Sequence, residues 1–264
     1  MKQLLMIPDI NRLEESLELA EKYNLGFEYN DFFHPAILDD EQRIKQICDT
    51  YQKHIIPKYS TMHGAFLDVI PCSPDEKIRK VSGERIEQSI KVAEKIGASA
   101  VVFHTNYNPF LNTPAYVEQW IEQNVAFWSQ VLESHPGISI YLENMFDVSP
   151  DMLQEVSGKL CRYKNYGVCL DYAHAALSKE SLQVWVETLG RYVKHIHIND
   201  NDLVSDLHLA WGSGAIDREL FYHSYETYMK DATILIETSS IENVQDSLKV
   251  LAEDGFLRNH CVER

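Results

Sequence analysis

A chain of 264 residues with 45% hydrophobic and 24% charged side chains has the balance of a folded globular protein and the length of one eight-stranded α/β barrel. Its 40 acidic against 24 basic residues give a net charge of -16, which argues against a long nucleic-acid partner, since phosphate contacts need clustered Lys and Arg, but not against divalent cations. Five scattered cysteines, Cys48, Cys72, Cys161, Cys169 and Cys261, form no C-x-x-C pair, and no apolar stretch reaches the roughly 18 residues that span a membrane, so the expectation is one domain over residues 1–264, cytoplasmic and without a membrane partner.

Short β-branched or apolar runs alternate with longer amphipathic stretches along the whole chain. The first strand, predicted over 3–7, gives way to Pro8-Asp9 with no phosphate-cradling glycine pattern, and a helix over 12–22 follows. Strand 26–30 leads to helix 40–52, and strand 60–66 to helix 75–96. Ser73-Pro74-Asp75-Glu76 opens that helix with a hydroxyl cap and early acid, and Gly97 stops it. Strand 98–105 and helix 114–133 come next, then strand 138–144 and helix 150–160, where Ser149-Pro150-Asp151 repeats the capping device. Strand 166–172 precedes helix 179–189, strand 193–199 precedes helix 217–229, and strand 233–238 precedes helix 243–252, with Gly255 beyond its end. Eight βα units without a dinucleotide fingerprint predict a closed (β/α)8 TIM barrel rather than an open doubly wound sheet.

Polar residues crowd the carboxyl ends of these strands. The third ends in Met62-His63-Gly64, the fourth in Phe103-His104-Thr105, the fifth in Leu142-Glu143-Asn144 and the eighth in Ile236-Glu237-Thr238. The sixth gives Leu170-Asp171-Tyr172-Ala173-His174, and the seventh gives His195-Ile196-His197, followed in its loop by Asp206-Leu207-His208. A barrel rings such ends around one mouth, so residues distant in sequence become neighbours.

Taken singly, a buried His is more often hydrogen-bonded core, and a strand-end Glu often pairs with Arg or Lys. As a set, these endings would require several independent solutions for buried charge. Nine candidate ligands result: His63, His104, Glu143, Asp171, His174, His197, Asp206, His208 and Glu237. Of these, His63, His104 and Asp206 have a second reading, as groups that orient substrate or a ligand. His195, on the same strand face as His197 and one layer deeper, reads as support or core. His34, His54, His135, His223 and His260 read as surface residues. Mixed imidazole and carboxylate donors suit Zn²⁺, Mn²⁺ or Fe²⁺ better than Ca²⁺ or Cu⁺, with zinc the first expectation and manganese the second. Gly212-Ser213-Gly214 is expected to bring backbone close to the site after His208, and Phe66 reads as a core aromatic, with stacking on a base as the other option.

From the third strand to the eighth, the segments S-T-M-H-G-A-F, V-V-F-H-T-N, Y-L-E-N, V-C-L-D-Y-A-H-A, H-I-H-I-N-D, D-L-H-L-A-W-G-S-G-A-I-D and I-L-I-E-T resemble, in this order, the xylose isomerase-like barrels. That group joins apurinic endonuclease family 2 with sugar-phosphate isomerases and epimerases. The isomerase and epimerase branch implies one metal held at the positions of Glu143, Asp171, His197 and Glu237. Glu143 and Glu237 would then act as the acid/base pair on opposite substrate faces, with His174 steadying a negative oxygen. The endonuclease branch implies three zinc ions, with His63, His104, Asp206 and His208 supplying the additional positions.

Two departures narrow the choice. Asn199-Asp200-Asn201-Asp202-Leu203 stands where epimerases of the group carry an Arg, which argues against simple ketose epimerisation. Asp31-Phe32-Phe33-His34-Pro35 lacks the Arg expected to penetrate DNA, and the loop from His197 to Asp206 is short and acidic. The resemblance therefore points first to a multinuclear phosphoesterase, with up to three metals, acting on a small sugar-phosphate or nucleotide-like ester. The alternative is a metal-dependent sugar or sugar-phosphate isomerase or epimerase, and a barrel that binds without turnover is a third possibility.

Overall fold

Eight short parallel strands close on one another in chain order: β1 (Leu4–Met6), β2 (Gly26–Tyr29), β3 (Ser60–His63), β4 (Ala100–His104), β5 (Ser139–Glu143), β6 (Tyr166–Asp171), β7 (Val193–Ile198) and β8 (Thr233–Ile236). β8 pairs with β1 through Leu5↔Leu235, so no strand edge remains among them. The computed structural model describes residues 2–66, 68–238 and 240–257. Between the strands lie α1 (Leu13–Tyr23), α2 (Pro35–Leu38), α3 (Glu41–Gln52), α4 (Glu76–Ile96), α5 (Pro114–Ser134), α6 (Asp151–Leu160), α7 (Tyr172–Leu177), α8 (Leu182–Leu189), α9 (Arg218–Ser224) and α10 (Ile241–Glu253). No described helix is long and apolar enough to cross a membrane.

Alternation along the strands builds two different surfaces. Val101, Phe103, Ile140, Leu142, Leu170, Ile196, Ile198, Ile234 and Ile236 belong to the large apolar core shared with the helices. Their alternates, Ala100, Val102, Tyr141 and Cys169, form a separate small buried group, and the same alternation continues into Glu143 and Asp171 at the strand ends. Register then sets neighbours at the mouth: His104 pairs with Glu143 across β4 and β5, and Asp171 with His197 across β6 and β7.

The expected strands are all present, but their polar tails are not strand. β3 ends at His63 rather than at residue 66, and β7 at Ile198, because the backbone beyond turns into loops. The helix expected over 179–189 starts later, as α8 at Leu182, and a separate short helix, α7, precedes it at Tyr172–Leu177 where none was expected. Ser178 is extended, and Ser181 restarts the chain by accepting from the Val184 amide. The helix expected over 217–229 is α9 followed by a π-turn at Tyr225–Met229. Asp75, not Ser73, caps α4, and Ser149 donates to Asp151 instead of capping α6. α2 had no periodic signal because it is a single turn, begun by Pro35 and capped by the His34 ring accepting from Ala36.

Candidate metal centre

The strand ends converge on a buried pit. Local devices aim each side chain. Asn144, one residue past β5, donates through Nδ2 to the Asp171 carbonyl at 2.9 Å and accepts from the Asp171 amide at 2.9 Å, which clasps the end of β6. Asp171 in turn caps α7, its Oδ1 accepting from the His174 amide at 2.7 Å. The D-x-x-H spacing is thus an N-cap geometry that sets His174 beside Asp171 and leaves the second carboxylate oxygen, Oδ2, without a partner. His174 Nδ1 lies 3.0 Å from the Asn144 carbonyl, to which its N–H donates, and Nε2 faces Asp206 Oδ2 at 3.3 Å.

His63 is tethered in the same manner. Its Nδ1 meets the Gly64 carbonyl at 2.9 Å, and its Nε2 points at His104 Nε2, 3.1 Å away. Gly64 permits this, because a Cβ there would stand 2.2 Å from the Phe103 ring. Two imidazole nitrogens facing each other without a shared proton repel, whereas two ligands of a tetrahedral ion, each about 2.0–2.1 Å from it, stand roughly 3.3 Å apart. Glu143 Oε2 lies 3.6 Å from both rings, and Glu143 Oε1 lies 3.5 Å from His197 Nδ1. Glu237 Oε2 approaches the same His197 nitrogen at 3.5 Å.

Among the described residues, these donors fall into groups whose atoms all lie within 4.8 Å of one another: His63, His104 and Glu143; Glu143, Asp171 and His197; and His174, Asp206 and His208. Glu143 belongs to the first two, and Glu237 flanks both His197 and His208. All nine expected ligands are therefore brought together. Cys169, His195 and His197 stand equally close to one another, but His195 is already engaged. His195 contacts Thr233 Oγ1 at 2.6 Å and Glu28 Oε2 at 3.1 Å, one ring nitrogen on each, which fits its reading as support.

Two observations test whether a divalent metal suits the pit. The buried oxygens Glu143 Oε1, Glu143 Oε2 and Asp171 Oδ2, with both ring nitrogens of His197, lack hydrogen-bond partners, a costly condition in a native interior unless something else satisfies them. The charge balance says the same. Burial works to neutralise Glu143, yet His197 and His104 hold its carboxyl well below the usual range. Burial likewise works to discharge His197 and His174, but Cys169, Glu143, Glu237 and Glu28 lift the first, and Asp171 and Asp206 lift the second, well above an ordinary imidazole. Asp171 is pushed up to about 7 by burial, and His208 up to about 9 by its hydrogen bond to Asp206. The carboxylates demand positive charge that protons alone supply incompletely. A divalent cation supplies it while accepting the unpartnered lone pairs, so the donor set fits such an ion.

Glu28 was not anticipated. It sits fully buried in the middle of β2, where Thr61 donates to its Oε2 at 2.6 Å and its Oε1 lies 3.2 Å from His197 Nε2, a close but bent approach. Burial opposes its ionisation, yet His197 and His195 keep it far below the ordinary carboxylate range. The signal was present in G-F-E-Y, a single acid inside an otherwise apolar strand, but Glu28 lies below the strand's polar end and was passed over. Phe66 is also not core. It is half-buried, its ring 4.8 Å from His104 and 5.1 Å from His63, and it forms wall rather than packing.

The loop bearing Asp206 and His208 is closed by an antiparallel bridge, with the Asp200 amide donating to the Leu209 carbonyl at 3.0 Å and the reverse bond at 2.9 Å. His208 has a left-handed backbone, φ 47. The Asp200 carboxylate accepts from the amides of Asn201, Gly212 and Ile216, so the glycine turn approaches Asp200 and Asn201 rather than the ligands themselves. A Cβ on Gly214 would lie 2.3 Å from the Asn201 carbonyl. Gly214→Ala is expected to cost roughly 1–3 kcal/mol and to weaken metal binding at Asp206 and His208. A thermal scan with metal titration checks this, and unchanged values in both would contradict it.

Of the remaining histidines, His34, His54 and His223 are exposed, and His135 bridges Glu87 at 2.9 Å and Glu94 at 3.4 Å on the outer helices. His260 lies outside the described residues.

Beside the pit, a cavity of about 1020 Å³ begins at His174 and Asp206 and extends between the loops after β3, β4 and β5. A family model described as a xylose isomerase-like TIM barrel matches residues 17–254. The chain is 28% identical over 220 residues to the uncharacterized protein MJ1311 of Methanocaldococcus jannaschii, covering 80% of this chain and 73% of that one. It is 26% identical over 228 residues to a probable endonuclease 4 of Mycobacterium leprae, covering 80% and 83% respectively. The crystal structure of a D-tagatose 3-epimerase-like protein superposes with a TM-score of 0.75 at 26% identity, covering 98% of each chain.

Proposed function

The chain belongs to the xylose isomerase-like TIM-barrel family, and from that premise we propose that it is a three-metal phosphoesterase acting on a small sugar-phosphate or nucleotide-like ester. The observation that carries this reading is the grouping of eight donor side chains into three sets, two of them sharing Glu143, with Glu237 beside His197 and His208. His63, His104 and Glu143 would hold one ion. Glu143, Asp171, His197 and Glu237 would hold a second, and His174, Asp206 and His208 a third. The similarity to a probable endonuclease 4 supports phosphate chemistry, while a net charge of -16 disfavours long DNA as the substrate.

Zinc, or failing that manganese, in these sets would activate a water and neutralise charge on the phosphoryl oxygens. In the net reaction the water oxygen bonds to phosphorus, the ester P–O bond breaks, and the alcohol leaves with a proton. The protein's part is placement. The Asn144 clasp and the α7 cap fix Asp171 and His174, and the Gly64 carbonyl fixes His63, so the donors need no rearrangement when a phosphate arrives. Asp206 and His208, the most exposed members, stand where water and substrate reach the pit.

An isomerase or epimerase would use Glu143, Asp171, His197 and Glu237 alone, and the similarity to a D-tagatose 3-epimerase-like protein favours keeping it as the second reading. It leaves His63, His104, His174, Asp206 and His208 convergent without a ligand's task. Elemental analysis of protein purified without chelators is the deciding measurement. We expect close to three zinc or manganese ions per chain and release of alcohol from phosphate esters. One ion per chain, with exchange of carbon-bound substrate hydrogen into deuterated water, would replace this reading with the isomerase one.

A further inference from the structure

The cavity beside the pit is too large and too apolar for a bare phosphorylated sugar. At about 1020 Å³ it stands at the upper end of small-molecule pockets, roughly 300–1,000 Å³. Its walls carry Phe66, Tyr107, Phe110 and Phe146, and Phe110 and Phe146 are 91% and 60% exposed. Two large aromatic rings left in water on successive loops, both facing one cavity, need a reason that packing does not give.

The loop backbone that carries these rings is pinned by hydrogen bonds. Asn106, in a left-handed backbone, donates to the carbonyls of Phe66 at 3.4 Å and Val69 at 2.8 Å. Asn108 Oδ1 accepts from the Phe110 amide at 3.1 Å. Asp147 anchors the loop bearing Phe146, its Oδ2 accepting from Thr105 Oγ1 at 2.6 Å and from the Met145 amide at 3.0 Å. The other oxygen of that carboxylate, Asp147 Oδ1, is buried and unpartnered, on a residue that lines the cavity. It is an acceptor waiting for a donor.

The charges exclude a polyanion. The wall carries three carboxylates, Asp68, Asp147 and Asp206, against Lys179 and the His174 imidazole. The phosphate itself belongs at the metal sets, which adjoin the cavity through His174 and Asp206.

Resting on the phosphoesterase reading, we infer that this cavity takes the nucleoside part of a small nucleotide ester: an uncharged planar heteroaromatic ring against Phe146 and Phe110, with an N–H or hydroxyl donated to Asp147 Oδ1. Ring-on-ring stacking tolerates any base, so the side chains select the class of group rather than one base. Phe66, in contact with His63 and His104, marks where the ester leaves the metals and the ring begins.

The test uses the metal-replete full chain and esters matched in their sugar and phosphate: thymidine 5′-phosphate against 2-deoxyribose 5-phosphate, each as monoester and as methyl diester. We expect kcat/KM to be at least about tenfold higher with the base, the scale of one stacking contact, and Phe146→Ala or Phe110→Ala to shrink that ratio. A ratio near one, or a ratio untouched by both variants, overturns the inference while leaving phosphoester hydrolysis standing. A calorimetric arm measures binding of the two monoesters to the wild type and to Phe146→Ala. If no ester is hydrolysed, the phosphoesterase reading falls. In that event a base preference in binding that Phe146→Ala abolishes still supports the ring site, and equal binding rejects it.

Discussion

Glu143→Gln is expected to reduce tightly bound metal from about three ions per chain to one, with phosphoester turnover falling on the order of 10³-fold, the several kcal/mol that metal ions contribute to the transition state. Glu143 is the only ligand common to two of the three sets, and the amide keeps its size while removing the charge both ions need. The third set, His174, Asp206 and His208, retains its donors and its ion. Folding should not suffer. Glu143 is buried with neither carboxylate oxygen hydrogen-bonded, so the neutral amide removes desolvation cost rather than packing. The midpoint of thermal unfolding in chelator is therefore expected to stay level or rise, while the upward shift produced by added metal shrinks. Three ions retained in the variant would contradict the assignment, as would loss of a cooperative transition.

The second large effect is expected at a residue that touches no candidate ion. Glu28 faces His197 Nε2 from below, which leaves His197 Nδ1 for the pit, where Glu143 and Glu237 stand 3.5 Å away. Carboxylates behind a ligating histidine fix its tautomer and raise its basicity, and losing them typically weakens metal binding about 10–100-fold. Glu28→Gln should show that loss in chelator competition at the set containing His197, with the His174, Asp206 and His208 set unchanged. Glu28→Ala should be worse. It strands His195 and His197 without their shared partner, a loss of about 3–5 kcal/mol by analogy with broken buried pairs. Equal metal affinity in Glu28→Gln and wild type would reduce Glu28 to packing.

The barrel was legible because parallel strands buried on both faces read as apolar runs, and eight such runs alternated with amphipathic stretches. The pit was legible for a related reason. A polar residue at the carboxyl end of an apolar run is visible wherever chain order and spatial order coincide, as they do around this barrel; His63, His104, Glu143, Asp171, His197 and Glu237 became candidates that way, and His174, Asp206 and His208 through the D-x-x-H and D-x-H spacings. Glu28 was missed because its importance comes from β7, whose contact with β2 crosses the barrel interior and leaves no spacing in the sequence. Phe66 was misread because an aromatic three residues after a strand-end His looks the same whether it packs inward or walls a cavity. The late start of α8 rests on the extended Ser178 and the Ser181 cap, a local choice that helical periodicity over 179–189 does not reveal.

The clasp between Asn144 and Asp171 and the bridge between Asp200 and Leu209 are backbone attachments at the mouth, whereas the donors they serve run from His63 to Glu237 along the chain. An ion seated among such donors behaves toward the unfolded chain as a cross-link does, closing long loops whose ends would otherwise diffuse apart. Loss of the ion would remove that cross-link while leaving the barrel folded. Bound metal should then lengthen the lifetime of the fold, adding resistance to slow unfolding at the carboxyl end of the barrel to that of its apolar shell.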